Sequence, residues 1–393
     1  MLSPRAIIII TFIINTLLMA ISGVTYPVIP LYIVGSGLGV ITAGMVTSIA
    51  SITSFCSQII WGYMSDRIGR RSRIMLYGSI IMLLFYTMGT ILSDNILAIE
   101  LSYIFSTIGG AGVGVASYAL IADMGPRNLG RNMSLYWAGG SLGWATPLLF
   151  AGWLLKTYGV VSVFMVSLLL SAAILILVLV LMHTDKHAPI AVSTRQSRWS
   201  LRPIIRLLSN KTFLVLYTSS FVFMVGDVIK NIYIPQYLAY KIGLGESMAT
   251  AILSLASWFE IPAILLFGHI LGIVGGTPVY MLGLASMAAY LYLNSTVRSF
   301  AAASIVMAGY SIVWSSYITS ISVLVPLSVD EENKGLALGL VNSNFALANI
   351  LSNIALSYMV DAYGYSQTFV VISALILVLT LAVGMGLRHR SAN

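Results

Sequence analysis

The sequence is poor in charged residues. Asp, Glu, Lys and Arg make up 8% of its 393 residues, whereas soluble domains carry about 25%. Hydrophobic residues make up 59% of the chain, and its mean hydropathy is +0.96. This composition excludes a water-soluble protein.

Cysteine and histidine are also scarce. The one cysteine, Cys56, lies in an apolar segment and excludes an intrachain disulfide. The four histidines lack metal-ligand spacing. The glycine-rich stretch 109–117 has neither the preceding strand nor the lysine of a phosphate loop, so it indicates close helix packing. We therefore predict no cofactor, no metal and no enzymatic activity.

Long apolar runs fill most of the chain, each of about 20 residues and thus able to cross a bilayer as a helix. Unpaired backbone groups are not tolerated in lipid, and unbroken runs favour helices over the alternating strands of a barrel. The run that follows Arg5 continues to about Val34, so we interpret it as a retained span and not as a signal peptide. We predict an all-α membrane protein with 12 transmembrane helices, at about 6–33, 40–63, 74–92, 97–123, 131–155, 160–183, 210–239, 246–271, 276–295, 299–326, 335–360 and 366–388.

The net charge of +8 indicates topology and not nucleic-acid binding. With the amino terminus in the cytoplasm, Lys156, Lys241 and Arg298 lie outside and Lys230 lies within a span. The other 16 of the 20 Lys and Arg residues are then cytoplasmic, as the positive-inside rule requires. We predict a multi-pass protein of the cell membrane with both termini in the cytoplasm. We also predict that it is a monomer within the lipid bilayer.

A polar, basic stretch at 183–210 divides the spans into two groups of six. We predict a bundle over 1–183, a cytoplasmic linker over 184–209 with a short interfacial helix near 199–208, and a second bundle over 210–393. The halves repeat each other weakly: Gly62 corresponds to Gly268, and Gly130 to Gly335. Parallel repeats of this kind place a substrate site between the halves near mid-membrane, with alternating access.

The loop after the second span carries a specific motif, "GYMSDRIGRRSR". Gly62, Asp66, Arg67, Gly69, Arg70 and Arg71 stand where the signature loop of the major facilitator superfamily (MFS) has its fixed residues. The sequence therefore resembles that superfamily over its whole length. The resemblance implies the MFS fold, two six-helix bundles related by a pseudo-two-fold axis.

The resemblance also implies a conformational latch on the cytoplasmic side. Gly62 would let two helices approach closely, and Gly69 would permit the tight turn before span three. Asp66, next to Arg67, would face the positive end of span eleven near Gly335. Arg70 would pair with Asp123 at the end of span four. The alternative is that the arginines of this loop only fix orientation.

Two departures weaken the resemblance to drug–proton antiporters. Ser106 stands where many proton-driven members carry an arginine midway along span four. The antiporter motif of span five keeps Pro147, but Thr146 and Phe150 replace its glycines.

Three charged residues lie within spans seven and eight. Asp227 and Lys230 share a helix face with Asn231, and Glu260 lies near the middle of span eight. A charge at mid-bilayer costs roughly 2.5–3.5 kcal/mol, so these groups should face each other or a polar cavity.

Two interpretations of these charges remain open: a neutralised pair of Asp227 and Lys230 that tolerates burial, or a translocation path. On the second, the surplus negative charge favours a carboxyl that binds and releases a proton near neutral pH, with Glu260 and Asp227 as candidates. Pro262 would leave the carbonyl of Trp258 free for a ligand and could kink the helix.

The segment 231–270, centred on "EIPA" at 260–263, is similar to sugar efflux transporters, a subgroup of the superfamily. The similarity implies export of sugars or glycosides against protons. Further polar and aromatic residues at membrane depth fit a cavity for a neutral or amphipathic solute, although each could instead serve helix packing or the aromatic belt. The candidate substrate-binding residues are Lys230, Asn231, Asn15, Tyr26, Gln58, Tyr118, Tyr233, Gln236, Tyr310, Trp314 and Asn342. Tyr317 lies on span ten with Tyr310 and Trp314, and Asn349 and Asn353 lie on span eleven with Asn342.

The sequence thus predicts a secondary active transporter, a proton-coupled exporter of sugars or small amphipathic solutes. A multidrug/proton antiporter and an uncoupled facilitator remain as alternatives. A membrane receptor or a lipid-handling enzyme is disfavoured, because neither a signalling domain nor paired catalytic groups are recognisable.

Overall fold

The structure, a computed structural model, describes residues 3–68, 70–123, 129–184, 202–330 and 333–388, and these residues form helices and no strands. Two π-helical turns, Ile229–Tyr233 and Tyr237–Lys241, flank the short α10. The α-helices are α1 (Pro4–Thr25), α2 (Val28–Gly35), α3 (Gly39–Ile68), α4 (Arg71–Ile91), α5 (Ile96–Ala122), α6 (Leu129–Tyr158), α7 (Val160–Thr184), α8 (Arg202–Ser209), α9 (Lys211–Val228), α10 (Ile234–Gln236), α11 (Gly245–Val274), α12 (Gly276–Thr296), α13 (Phe300–Leu327), α14 (Lys334–Tyr363) and α15 (Tyr365–Arg388).

Among the described residues, ten helical segments are long and apolar enough to cross a membrane. Two more helices, α6 with 30 residues and α12 with 21, reach the necessary length at 1.5 Å per residue. The predicted set of 12 spans is therefore confirmed in the part of the chain that the structure describes. The first predicted span is two helices, because Pro27 and the turn at Tyr26 separate α1 from α2.

The chain forms two compact units, Met1–Gln196 with Gly245–Ser254, and Ser197–Leu244 with Leu255–Asn393. The short helix predicted in the linker is confirmed as α8. The rest of the predicted linker, 185–201, lies outside the described residues.

The same helix pairs pack in both units. In the first, α4 packs against α5 and α7, and α1 packs against α6. In the second, α12 packs against α13 and α15, and α9 packs against α14. In each group of six spans, the third span thus packs against the fourth and the sixth, and the first packs against the fifth. This packing agrees with the repeat predicted from the glycine positions.

The close helix contact lies at other glycines than Gly62. Among the described residues, a Cβ on Gly62 would meet Val115 Cγ1 at an ordinary 3.8 Å, so no close approach is seen there. One close crossing joins α4 and α5, where a Cβ on Gly78 would lie 2.6 Å from the carbonyl oxygen of Gly109. The predicted packing role of the stretch 109–117 is thereby confirmed.

Helix α11 is packed sparsely. Among the described residues it makes few contacts with other helices, and its second half carries several exposed apolar side chains, including Leu265, Leu266 and Ile273. The helix runs through Pro262.

Candidate functional site: a buried charge network in the second unit

Asp227, Lys230 and Asn231 lie where the helix of span seven changes its hydrogen-bonding pattern. Asp227 is in the last turn of α9, and the other two residues lie in the first π-helical turn. Pro235 follows and has no N–H to offer the carbonyl of Asn231, four residues earlier. Wide π turns of this kind occur mostly at functional sites.

The three side chains form one network inside the second unit. Each is at most 5% exposed. The Asn231 amide joins the two charges: its Oδ1 accepts from Lys230 Nζ at 2.9 Å, and its Nδ2 donates to Asp227 Oδ2, also at 2.9 Å. Within the described residues, Lys230 makes no direct ion pair with a carboxylate. The charges are therefore bridged by an amide and do not form the simple pair that the first interpretation assumes.

Tyr310 closes the network from α13. Its hydroxyl donates to the second oxygen of Asp227, Oδ1, at 2.5 Å, and Lys230 Nζ lies 4.7 Å from the centre of its ring. One side chain thus contacts the acid through its polar end and the cation through its π face. Tyr310 is 1% exposed, so it orders the charges and its ring is not open to a stacked solute.

Glu260 differs from these buried groups. It lies at the middle of α11, is partly buried, and interacts electrostatically with Lys230 and Asp227. Its backbone carbonyl accepts from Ser315 Oγ at 3.4 Å. Within the described residues, its carboxylate has no hydrogen-bond donor. Of the two acids, Glu260 is therefore the one that is incompletely satisfied and accessible.

The other predicted substrate residues of the second unit are mostly occupied by internal contacts. Tyr233 donates to the carbonyl of Asn353 at 2.7 Å, and Gln236 accepts from Tyr365 at 3.1 Å. Both Tyr233 and Gln236 are buried, whereas Trp314 is partly buried beside Phe223. Asn342 is exposed, whereas Asn353 Nδ2 donates to Asn349 Oδ1 at 3.4 Å on the same helix, α14. Tyr317 is also buried, and its hydroxyl contacts Ser220.

The first unit holds the remaining predicted residues, and they do not form one cluster. Asn15 is buried and donates to the carbonyl of Tyr136 at 2.6 Å. Tyr118 is exposed and makes an edge contact with the ring of Tyr136, whereas Tyr26 packs against Trp144. Gln58 is exposed and donates to Ser54 of its own helix at 3.2 Å.

The predicted latch is seen only in part. Arg71, and not Arg70, forms the ion pair with Asp123, with Nε 3.0 Å from Oδ2, so that prediction had the right acid and the wrong arginine. Arg71 also donates to Ser65 at 2.8 Å and so links α4 to the end of α3. The side chains of Asp66 and Arg67, Gly69, and the environment of Gly335 lie outside the described residues.

Sequence reasoning missed two parts of the site. Tyr290 on α12 packs edge-on against Tyr310, with ring centres 4.9 Å apart. The first of the two π turns carries Lys230 and Asn231, and the signal that could have indicated these turns is Pro235 within an apolar span. Ring–ring contacts between distant helices leave no comparable signal in one sequence.

Comparisons with known proteins agree with this architecture. The sequence model of the Major Facilitator Superfamily matches residues 11–229 and 216–392. A "Multidrug resistance protein B homolog" of Mycobacterium tuberculosis is 30% identical over 131 residues, which is 32% of this chain and 23% of that protein. The chain therefore matches less than a quarter of the length of this curated relative.

Solved structures show the same fold at low identity. A mutant of the nucleoside transporter NupG superposes with a TM-score of 0.80 at 18% identity, covering 96% of this chain and 99% of that chain. A POT family transporter gives 0.79 at 14% identity, with coverage of 98% and 96%. A bacterial homolog of the human lysosomal transporter Spinster gives 0.79 at 16% identity, with coverage of 99% and 98%.

The family match spans nearly all of the chain, and the solved transporters share its fold. The chain therefore belongs to the major facilitator superfamily.

Proposed function

We propose that this transporter is a proton-coupled exporter of sugars or small amphipathic solutes that works by alternating access. In this proposal Glu260 binds and releases the coupling proton. Asp227, Lys230, Asn231 and Tyr310 form the buried network that senses its charge. The substrate is a small molecule taken up from one side of the membrane and released on the other.

One observation carries the proposal: Glu260 is the acid of the network whose carboxylate is partly accessible and has no hydrogen-bond donor among the described residues. Asp227, in contrast, accepts from both Tyr310 and Asn231. An unsatisfied carboxylate in a site of low dielectric is stabilised by taking up a proton or by meeting a cation. Because α11 is sparsely packed, its movement disrupts few contacts.

Multidrug/proton antiport is the second candidate, and it is favoured by the printed name of the Mycobacterium tuberculosis relative. An uncoupled facilitator is the third, because Ser106 replaces the arginine common in proton-driven relatives. Ser106 is buried and donates to the carbonyl of Tyr103 at 2.8 Å.

The test is transport by purified protein in vesicles. A panel of labelled sugars and cationic dyes is offered with and without an imposed pH gradient, which separates the sugar, multidrug and uncoupled alternatives. We expect Glu260→Gln to reduce gradient-driven accumulation at least tenfold while exchange without a gradient continues. That magnitude corresponds to about 1.4 kcal/mol.

Glu100→Gln is the matched control, since Glu100 is also a partly buried acid of a candidate membrane span. This variant should keep gradient-driven accumulation. Transport that ignores the gradient, together with full activity of Glu260→Gln, would contradict proton coupling through this residue.

A further inference from the structure

Tyr290 on α12 lies next to the charge network, toward the helix end that is predicted to lie outside the cell. Its ring packs against Tyr310, and its hydroxyl donates to Met307 Sδ at 3.3 Å, although sulfur is a weak acceptor. Tyr290 is 3% exposed, and a phenylalanine would fill the same space without burying a polar group. Packing alone therefore does not account for this hydroxyl.

The Tyr290 hydroxyl extends a row of polar groups that begins at the buried acid. Tyr310 donates to Asp227 Oδ1 at 2.5 Å, and Tyr290 interacts electrostatically with both Tyr310 and Asp227. A tyrosine hydroxyl is both a donor and an acceptor, so it can receive one proton while it passes on another. The row leads from Asp227 toward the outer ends of α12 and α13.

Ser304 continues this row on α13. It lies one helical turn outward from Met307 and on the same helix face, and α13 begins at Phe300. Among the described residues of α12 and α13, Ser304 Oγ is the one buried polar side-chain atom without a hydrogen-bond partner. The residue as a whole is partly exposed, and a hydroxyl in such a position is normally satisfied by water. On α12 the buried Asn294 also interacts with the Tyr290 hydroxyl.

The inner halves of the same two helices are arranged differently. The hydroxyl of Tyr280 pairs with Ser219 at 2.7 Å, and that of Tyr317 pairs with Ser220 at 2.5 Å. All four side chains are buried. These inner hydroxyls are therefore satisfied by their neighbours on α9. Along the described α12 and α13, the poorly satisfied hydroxyls lie on the outer side of the acid.

We propose that Asp227 exchanges protons with the outer side of the membrane through Tyr310, Tyr290 and Ser304. A hydronium ion beside Ser304 gives a proton to the Tyr290 hydroxyl and is left as water. Tyr290 gives its own proton to the Tyr310 hydroxyl, and Tyr310 gives its own to Asp227 Oδ1. Each tyrosine oxygen loses one O–H bond and gains one, so both tyrosines end neutral and Asp227 becomes a carboxylic acid.

This route rests on the proposed proton coupling and supplies its outer entrance. Asp227, Lys230 and Glu260 have one negative charge in surplus, so one proton on either acid neutralises them. A proton that enters at Asp227 therefore replaces the one that Glu260 releases. In the part that the structure describes, α14 adds no charged group near Asp227. The charged and titratable groups that face Asp227 are Lys230 on its own span, Glu260 on α11, Tyr290 on α12, and Tyr310 and Tyr317 on α13.

The experiment follows the infrared absorption of protonated carboxyl groups after a rapid drop from alkaline to acidic pH, with the protein in lipid nanodiscs and no substrate. Asp227→Asn and Glu260→Gln identify the two bands. We expect Tyr290→Phe to slow the rise of the Asp227 band roughly a hundredfold, the lower end of what a positioned proton-transfer group contributes. Ser304→Ala should slow it in the same direction. The Glu260 band should keep its rate, because that carboxylate is partly accessible.

Tyr280→Phe and Ser320→Ala are the matched controls. Tyr280 is the buried tyrosine at the inner end of the same helix, and Ser320 is a buried serine of α13 whose hydroxyl donates within its own helix. Neither substitution should change the rate of the Asp227 band. A normal rate in Tyr290→Phe, an equal slowing in Tyr280→Phe, or an Asp227 that never changes its protonation would overturn the route.

Failure of the route and failure of the proposed function give different results. Slowing of the Asp227 band by Tyr290→Phe, in a protein whose transport ignores the pH gradient, would support the route and contradict proton coupling. Gradient-driven transport together with a normal Asp227 band in Tyr290→Phe would support coupling and overturn the route.

Discussion

Asn231 is the residue on which the charge network depends. A neutral amide presents an acceptor and a donor on one side chain, so it can contact a cation and an anion at once. Burial of either charge without a partner would cost several kcal/mol. The amide therefore separates Lys230 from Asp227 and still satisfies both.

Tyr310 provides the stronger of the two contacts to Asp227, and its removal should be measurable. We predict that Tyr310→Phe lowers the free energy of unfolding by about 1.5–3 kcal/mol, the usual contribution of a hydrogen bond to a charged group. Chemical denaturation of the protein in detergent would measure this loss.

Tyr290→Phe is the control for that measurement. The Tyr290 hydroxyl donates to Met307 Sδ at 3.3 Å, and sulfur is a weak acceptor. This variant should lose less than the Tyr310 variant. Equal losses would show that the hydroxyl of Tyr310 does not stabilise the buried acid.

At this scale the sequence predicted which residues meet but not how they pair. The spacing of Asp227, Lys230 and Asn231 places them on one face of any helix. Which oxygen accepts from which donor depends on the side chains of α13, which are 80 or more positions away in the chain. Likewise Arg70 and Arg71 are adjacent at the start of α4, and only the direction of the helix decides that Arg71 reaches Asp123.

Among the helices, α4 and α5 show how small residues set a distance. A Cβ on Gly78 would meet backbone atoms, the Gly109 oxygen at 2.6 Å and the Val113 nitrogen at 3.0 Å. Backbone cannot rotate away as a flexible side chain can, so the two helices could only separate.

We predict that Gly78→Ala destabilises the protein by about 1–3 kcal/mol through this overpacking. Gly62→Ala is the control, because its new methyl group would meet only Val115 at 3.8 Å. That variant should be neutral or gain up to about 1 kcal/mol from the better helix propensity of alanine. Thermal unfolding of both variants measures the difference. A stable Gly78→Ala protein would contradict the close crossing.

The existence of the helices was predictable because length and apolarity act locally along the chain. The π turns were not predictable. Whether a backbone N–H bonds to the carbonyl four residues earlier, as in an α-helix, or five residues earlier, as in a π-helix, depends here on the packing around Pro235. The glycine of the motif, Gly62, was predicted as a contact point, yet the contact lies at Gly78, which no motif marks.

On the scale of the whole molecule, each unit packs equivalent pairs of spans, and the positive-inside rule assigns the loops to two sides. The structure shows where the ends of the helices are, but the side of the membrane on which they lie is a prediction from Lys and Arg. Lys156 lies in the last turn of α6 and is predicted outside, whereas His183 near the end of α7 is predicted in the cytoplasm.

Labelling of single cysteines tests this topology. Cys56→Ser removes the one cysteine of the chain. In that background we predict that Lys156→Cys and Lys241→Cys react with a membrane-impermeant maleimide on intact cells. His183→Cys should react only after the cells are permeabilised. Reaction of His183→Cys on intact cells would invert the predicted orientation.

The two wide turns around Pro235 have a consequence for how span seven can move. A π turn holds one residue more than an α turn, and it can migrate along a helix by exchanging one backbone hydrogen bond for another. Each such step would swing the residue it passes by about 100°, the angle between neighbours in an α-helix. Lys230 and Asn231 could thereby change the direction in which they point while the segment stays helical and the ends of the span stay where they are.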